Sequence, residues 1–195
     1  MFALFGVVLL TLSSCANYQA SSLNNLCSEV MYSPTTDEKV IVVAKAFNKT
    51  DCKKYLDRDV ISAGYQPVQI YIQNNSDINY HFSLDRVDLS YVESDEVAKK
   101  VHTSTLGRVT VYGLGSLILT PLIIPAIVDG VKSSRANDSL DYDFASKAAK
   151  DQIIYPHAHL NKLLFVPVSN YHQNFNVVLV DQQSKTPKTF HVVAD

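Results

Sequence analysis

Two stretches of strand-like patterning, separated by a block with helical spacing, dominate this chain. Lys39 to Phe47 (KVIVVAKAF) is apolar and β-branched and predicts a first strand. Asn48 to Ala63 mixes Asp51, Lys53, Lys54, Asp57, Arg58 and Asp59 with Tyr55, Leu56 and Val60, which fits a short helix or irregular connection with a core-facing side. Val68 to Gln73 alternates, placing Val68, Ile70 and Ile72 on one face. Asn74 to Asp77 is a turn cluster, Tyr80, Phe82 and Leu84 alternate again, and Arg86 to Val92 predicts a further strand. Together these predict part of an antiparallel meander.

The pattern then changes. Ser94-Asp95-Glu96 has the form of a helix start, with a capping serine and acids in the first turn. A second polar helix is predicted over about Asp138 to Lys150, with Leu140, Phe144 and Ala148 recurring at every fourth position. Strands return at Lys162–Val168, Asn174–Asp181 and Lys188–Val193, the last two joined by a Gln-Gln-Ser-Lys-Thr-Pro turn. The predicted fold is mainly β: an antiparallel, immunoglobulin-like β-sandwich over residues 37–195, interrupted by a helical insertion over 94–155.

Within that insertion, Val109 to Val128 runs for twenty residues without a charge, closed by Arg108 and Asp129. A spanning helix needs about 20 apolar residues, yet Gly113, Gly115, Pro121 and Pro125 interrupt this stretch. Two short helices meeting near Thr120-Pro121 fit better than one rod. Such an apolar hairpin has three uses: dipping into a membrane, capping a core, or meeting a partner. Leu114, Leu117, Ile118, Leu122, Ile123 and Ile127 are its candidate contact residues, with Arg108, Lys132 and Arg135 placed to meet lipid phosphates. Large exposed apolar patches are uncommon without a binding role, which favours membrane or partner contact over core packing.

At the other end, Phe2 to Leu12 is a short apolar run followed by Ser13, Ser14 and Cys15, a pattern of secretory signals. Leu12-Ser13-Ser14-Cys15 resembles the bacterial lipobox, although no Lys or Arg precedes the run. The resemblance implies a signal peptide over 1–14, cleavage before Cys15, and acylation of the Cys15 sulfur and amino group. With Ala16 following, it further implies an outer-membrane anchor facing the periplasm. Two or more acyl chains anchor stably, at about 0.8 kcal/mol per buried CH₂. Residues 15–36 would then form a lipidated tether, its first part (ANYQASSLNN) small and polar.

Composition sharpens this picture only in places. Hydrophobic residues make up 47% and charged ones 18%, enough for a real core, and eleven Tyr with no Trp lean toward strands. A net charge of −2 gives no footprint for nucleic acid. With Cys15 taken by lipid, Cys27 and Cys52 become a candidate disulfide in an oxidising compartment, worth about 3 kcal/mol where geometry allows. His157 and His159 are the one closely spaced His pair, but a metal site needs a third ligand and second-shell support. Gly113-x-Gly115-Ser116 extends to neither a P-loop nor a nucleophile elbow, and Asp138, Asp141 and Asp143 lack the EF-hand spacing.

The sequence therefore predicts a non-enzymatic envelope lipoprotein without cofactor or metal. Its sandwich acts as a scaffold or binding module, held by lipid through Cys15. A subunit of an envelope or secretion complex, or a homo-oligomer, is one form of this reading. A periplasmic carrier of a hydrophobic ligand is the alternative, and an envelope enzyme using His157 and His159 is a third class.

Overall fold

The computed structural model describes residues 18–26, 39–102 and 123–194, with residues 123–133 described by their backbone alone. Among the described residues are seven strands and three helices. Three strands form one antiparallel sheet, β1 (Val40–Ala46), β2 (Tyr65–Asn74) and β5 (His159–Pro167), in the order β1-β2-β5. The other four, β3 (Tyr80–Val87), β4 (Gln152–Ile154), β6 (Asn174–Asp181) and β7 (Pro187–Val193), form a second antiparallel sheet in the order β4-β3-β6-β7. The chain divides into two compact units, one of residues 19–101 and 141–195, which holds both sheets, and one of residues 1–18 and 102–140.

Alternation explains why the sheets face one another. Val40, Val42 and Ala44 of β1, Val68, Ile70 and Ile72 of β2, and Leu160, Leu164 and Val166 of β5 point to one shared core. Tyr80, Phe82, Phe175, Val177, Leu179, Phe190 and Val192 enter the same core from the second sheet. The pairing Ala44 with Ala194 joins β1 to the end of β7 at one corner. The result is a β-sandwich-like scaffold, as the patterning predicts.

The outer face of the three-stranded sheet is buried too. Val43, Leu163 and Phe165 are almost fully buried on that side, and Phe144 stacks on Phe165 with ring centroids 5.4 Å apart and planes 3° apart. Helix α1 (Lys49–Leu56) opens with a capping box in which the Asn48 side chain and the Asp51 side chain each receive the other's backbone N–H. Helix α2 (Ser94–Val101) is pinned to β2 where Tyr65 Oη donates to Glu96 Oε1 at 2.7 Å. The buried Lys147 ammonium donates to the Tyr55 carbonyl of α1 at 2.7 Å and to Asp143 at 2.6 Å. That contact places a cation on the carboxyl end of a helix, where the helix dipole favours it.

Several expectations change. The predicted meander is not formed, because β2 and β3 lie in different sheets. The buried Asn74 turns the chain between them: its amide nitrogen donates to the carbonyls of Ile78, Ile154 and Tyr155, and its oxygen accepts from the N–H and hydroxyl of Ser76. The strand predicted over Arg86–Val92 ends at Val87, after a register shift in β3. The chain then returns to the first sheet, where the Val92 N–H donates to Phe165. Strand β4, three residues long, falls inside the predicted insertion 94–155 but belongs to the second sheet. A third helix, α3 (Ile123–Lys147), begins well before the predicted Asp138 and runs unbroken past it. Pro125 sits in its first turn, where the backbone N–H has no partner to lose. The C-terminal end of the apolar stretch is thus continuous with the polar helix, while the expected bend near Thr120-Pro121 lies outside the described residues. Leu140 and Phe144 of the predicted stripe are fully buried; Ala148 lies just beyond α3 and pairs with Leu163.

Replacing Asn74 by Ala would leave buried carbonyls without donors at the crossover. We expect a loss of about 1–3 kcal/mol in urea unfolding, with the slope unchanged. A second test concerns Asp151, whose carboxylate accepts from the Leu84 N–H at 2.8 Å and the Ser83 hydroxyl at 2.7 Å and ties the approach to β4 onto β3. The Leu84 N–H, with help from the Ser83 hydroxyl, lowers the Asp151 pKa below the usual carboxylate value. Its contribution is complete above the unfolded-state pKa and disappears as pH falls through the lower folded-state value. Asp151→Asn should therefore flatten the acid side of the stability–pH curve and leave its slope near neutrality unaltered.

Candidate functional site

The region where the N-terminal segment and the end of α2 meet is built around the end of α1. Its cap residue, Asp57, has φ 50° and ψ 24°, the left-handed conformation in which Gly is the common residue. An aspartate there carries a second disadvantage, since a carboxylate at a helix C-terminus opposes the dipole. Asp57 is also almost buried. A residue so ill-suited to its local setting implies a compensating use of its carboxylate.

The partners show that use. Asp57 Oδ2 accepts from the Gln19 N–H at 3.1 Å and from Arg58 Nη1 at 3.2 Å, while Oδ1 accepts from Lys53. Arg58 turns its Nε to the carbonyl of Val101, the last residue of α2, at 3.2 Å, and its Nη1 to the Asp57 carbonyl at 2.7 Å. One acid and one guanidinium therefore join the start of the N-terminal segment to the end of α2. Bonds to charged groups of this kind are the stronger ones.

Beyond Gln19 the N-terminal segment lies along the domain as a strap. The Ser21 N–H donates to the Lys54 carbonyl at 2.9 Å. Asn24 O accepts from Gln69 Nε2 at 2.7 Å and from Asn161 Nδ2 at 3.3 Å, and Asn161 Nδ2 also reaches Asn25 Oδ1 at 3.1 Å. Gln69 is 2% exposed in the central strand β2, and its amide also donates to Asn161 Oδ1 at 2.6 Å. Residues 19–25, read from sequence as part of a free tether, are instead docked. Small polar residues suggested a linker, but in extended conformation they also supply unshielded backbone groups, which the buried Gln69 needs.

The other predicted residues divide by position. Cys15, Leu114, Leu117, Ile118 and Leu122 lie outside the described residues, and Ile123 and Ile127 are seen only as backbone in the first turns of α3. Cys52 is a fully buried free thiol. Burial, followed by the nearby Asp59 and Asp51 carboxylates, pushes its pKa up to about 11, which keeps it protonated and unreactive. Cys27, its candidate disulfide partner, lies outside the described residues.

Chemistry of other kinds finds less support. The exposed His157 Nε2 lies 3.5 Å from Asp77, while the His159 ring stacks on Tyr71 with centroids 5.6 Å apart. Among the described residues no three His, Cys, Asp or Glu side chains gather as a metal site, and no helix is long and apolar enough to cross a membrane. The space between the sheets is filled by side chains such as Phe82, Phe190 and Leu179. An open pocket of about 290 Å³ lies between β6 and β7, lined by Phe175, Val192 and Val193 together with Asp88, Asn174, Asn176 and His191. No protein-family model and no characterised protein matches this chain.

The Asp57–Arg58 joint was not legible in the sequence as a site. Its one signal was an Asp-Arg pair at the end of a short charged helix, a pattern shared with many solvated helix ends. We expect Asp57→Asn, which tolerates the left-handed backbone but carries no charge, to free the strap. Hydrogen–deuterium exchange should quicken in residues 19–25 and at the end of α2, with a stability loss of about 1–3 kcal/mol. Unchanged exchange in the strap would show that the Asp57 carboxylate does not hold it.

Proposed function

We propose that this protein is an envelope lipoprotein whose immunoglobulin-like β-sandwich serves as a non-enzymatic scaffold, held to a membrane by acylated Cys15. The segment Val109–Val128 makes the second contact, with the bilayer or with an envelope protein partner. One observation carries the reading. The strap that begins four residues after Cys15 and the helix that leads toward Val109 are bound to the same Asp57–Arg58 pair. Gln19 and Val101, which short links join in sequence to the two stretches marked for membrane contact, are thus tied to one place. A domain that merely carried a tail would have no need to bring them together.

In this reading the strap makes the attachment stiff. A flexible linker would let the domain wander, whereas a docked one transmits the position of the anchor to the sandwich. The filled space between the sheets favours this scaffold role over a carrier of hydrophobic ligands. Outer-membrane placement and membership of a multi-protein envelope assembly are natural extensions of the same proposal.

Fatty-acid labelling in a bacterial host tests the anchor. The intact chain should take up label and Cys15→Ser should not. Flotation with liposomes then tests the second contact: protein lacking residues 1–15 should still float, and should stay in solution once Leu106–Asp129 is also removed. Absence of label on the intact chain would end the lipoprotein reading. Unfolding of the sandwich on removing Leu106–Asp129 would assign that stretch to the core.

A further inference from the structure

Around the Asp57–Arg58 joint stands a group of exposed lysines. Helix α1 has Lys53 and Lys54 in its last turn, α2 has Lys99 and Lys100, and all four are exposed. Because Arg58 follows the cap of α1 and donates to the final carbonyl of α2, the two lysine pairs stand at helix ends joined by one side chain. Lys53 pairs with Asp57, Lys99 pairs with Asp95, and the Lys54 ammonium lies 4.8 Å from the Tyr55 ring centre. The Lys53 and Lys99 side chains are still 75% and 69% exposed. Exposed pairs of this kind contribute little to folding and leave their cations open to a second partner. Of the nearest carboxylates, Asp95 and Asp141 face Lys99, Asp57 is turned inward to the strap, and Asp59 is engaged by the N–H and hydroxyl of Ser62.

Chain length limits what that partner can be. Gln19, whose N–H is held by Asp57, follows Cys15 by four residues. Four residues of fully extended chain reach at most about 14 Å. An acyl group on Cys15 therefore brings the headgroup layer of its bilayer within that distance of the strap's first bond. Exposed lysine ammonium groups so near a leaflet come within reach of its lipid phosphates.

We infer that the lysine-bearing ends of α1 and α2 dock on anionic phospholipid headgroups of the bilayer that holds the Cys15 acyl chains. The inference rests on the lipoprotein reading and adds the face by which the domain meets the membrane. The acyl chains set the distance, the strap sets the pole, and the four lysines hold that pole flat against the leaflet. Each lysine near an anionic surface strengthens such docking by about fivefold. The attraction falls as salt shortens the screening length.

Lysine footprinting on the intact acylated chain is the test. The protein is placed in vesicles of zwitterionic lipid alone and in vesicles that also contain phosphatidylglycerol, exposed briefly to an amine-reactive reagent, and analysed by mass spectrometry. Lys53, Lys54, Lys99 and Lys100 should react several-fold more slowly on the anionic vesicles. Lys185, exposed in the β6–β7 turn, should react at the same rate on both. Equal rates for the four lysines on the two vesicle types, or equal protection of Lys185, would overturn the docking face. The intact mass of the same sample separates the two ideas. A missing acyl mass counts against the lipoprotein reading, whereas unprotected lysines on an acylated chain count against the docking alone.

Discussion

Strand β2 is buried on both faces, and most of the β domain follows from that constraint. Val68, Ile70 and Ile72 fill the space between the sheets, while Gln69 points the opposite way and is equally buried. A three-stranded sheet cannot cover its own outer face, so helices α1 and α2, the end of α3 and the strap must do so. A buried primary amide must also be hydrogen-bonded, since an unmatched one costs about 1–3 kcal/mol. Gln69 meets that demand with Asn161 and with the backbone of Asn24. The strap is therefore part of the domain's polar accounting as well as its cover.

The same logic explains how much of the fold could be read from the amino-acid sequence. Strands β1, β6 and β7 follow from alternation and β-branching over seven or eight residues with turn residues at their ends. The covered outer face of the first sheet left a trace as well, because Leu163, Leu164, Phe165 and Val166 form a continuous apolar run, as strands buried on both sides do. Strand pairing was less legible. Asn74 looks like an ordinary turn residue, and only its three buried carbonyl partners reveal that it switches the chain between sheets. Strand β4 is too short to show a period, and it is fixed by the neighbouring Asp151 rather than by a pattern of its own. The unbroken run of α3 from the apolar stretch into the polar helix was not legible because Gly130 and the paired serines Ser133 and Ser134 weaken its local propensity, and propensity is only a weak prior.

The candidate site was harder to see than the fold for a related reason. Metal sites and catalytic motifs announce themselves by side-chain type and spacing, but the Asp57–Arg58 joint works largely through backbone partners at Gln19 and Val101. Backbone groups have no signature in sequence. What does survive is a mismatch between residue and setting: an acid in a left-handed conformation at the wrong end of a helix dipole. Such a mismatch becomes informative once the conformation is known, and then it points to the place where local stability has been given up for a longer-range connection.

That mismatch has a consequence for anyone who redesigns the chain. A stability-guided procedure that scores each position by its local environment would rewrite position 57 among the first, choosing Gly for the positive φ and removing the charge that opposes the helix. The positive φ would cost less, by up to about 1 kcal/mol. The product would also have lost the acceptor for the Gln19 amide and the neighbour that orients Arg58. A gain in local backbone fit would then come with a loss of coupling between strap and sandwich, so the local environment of position 57 is the wrong quantity by which to rank variants of this protein.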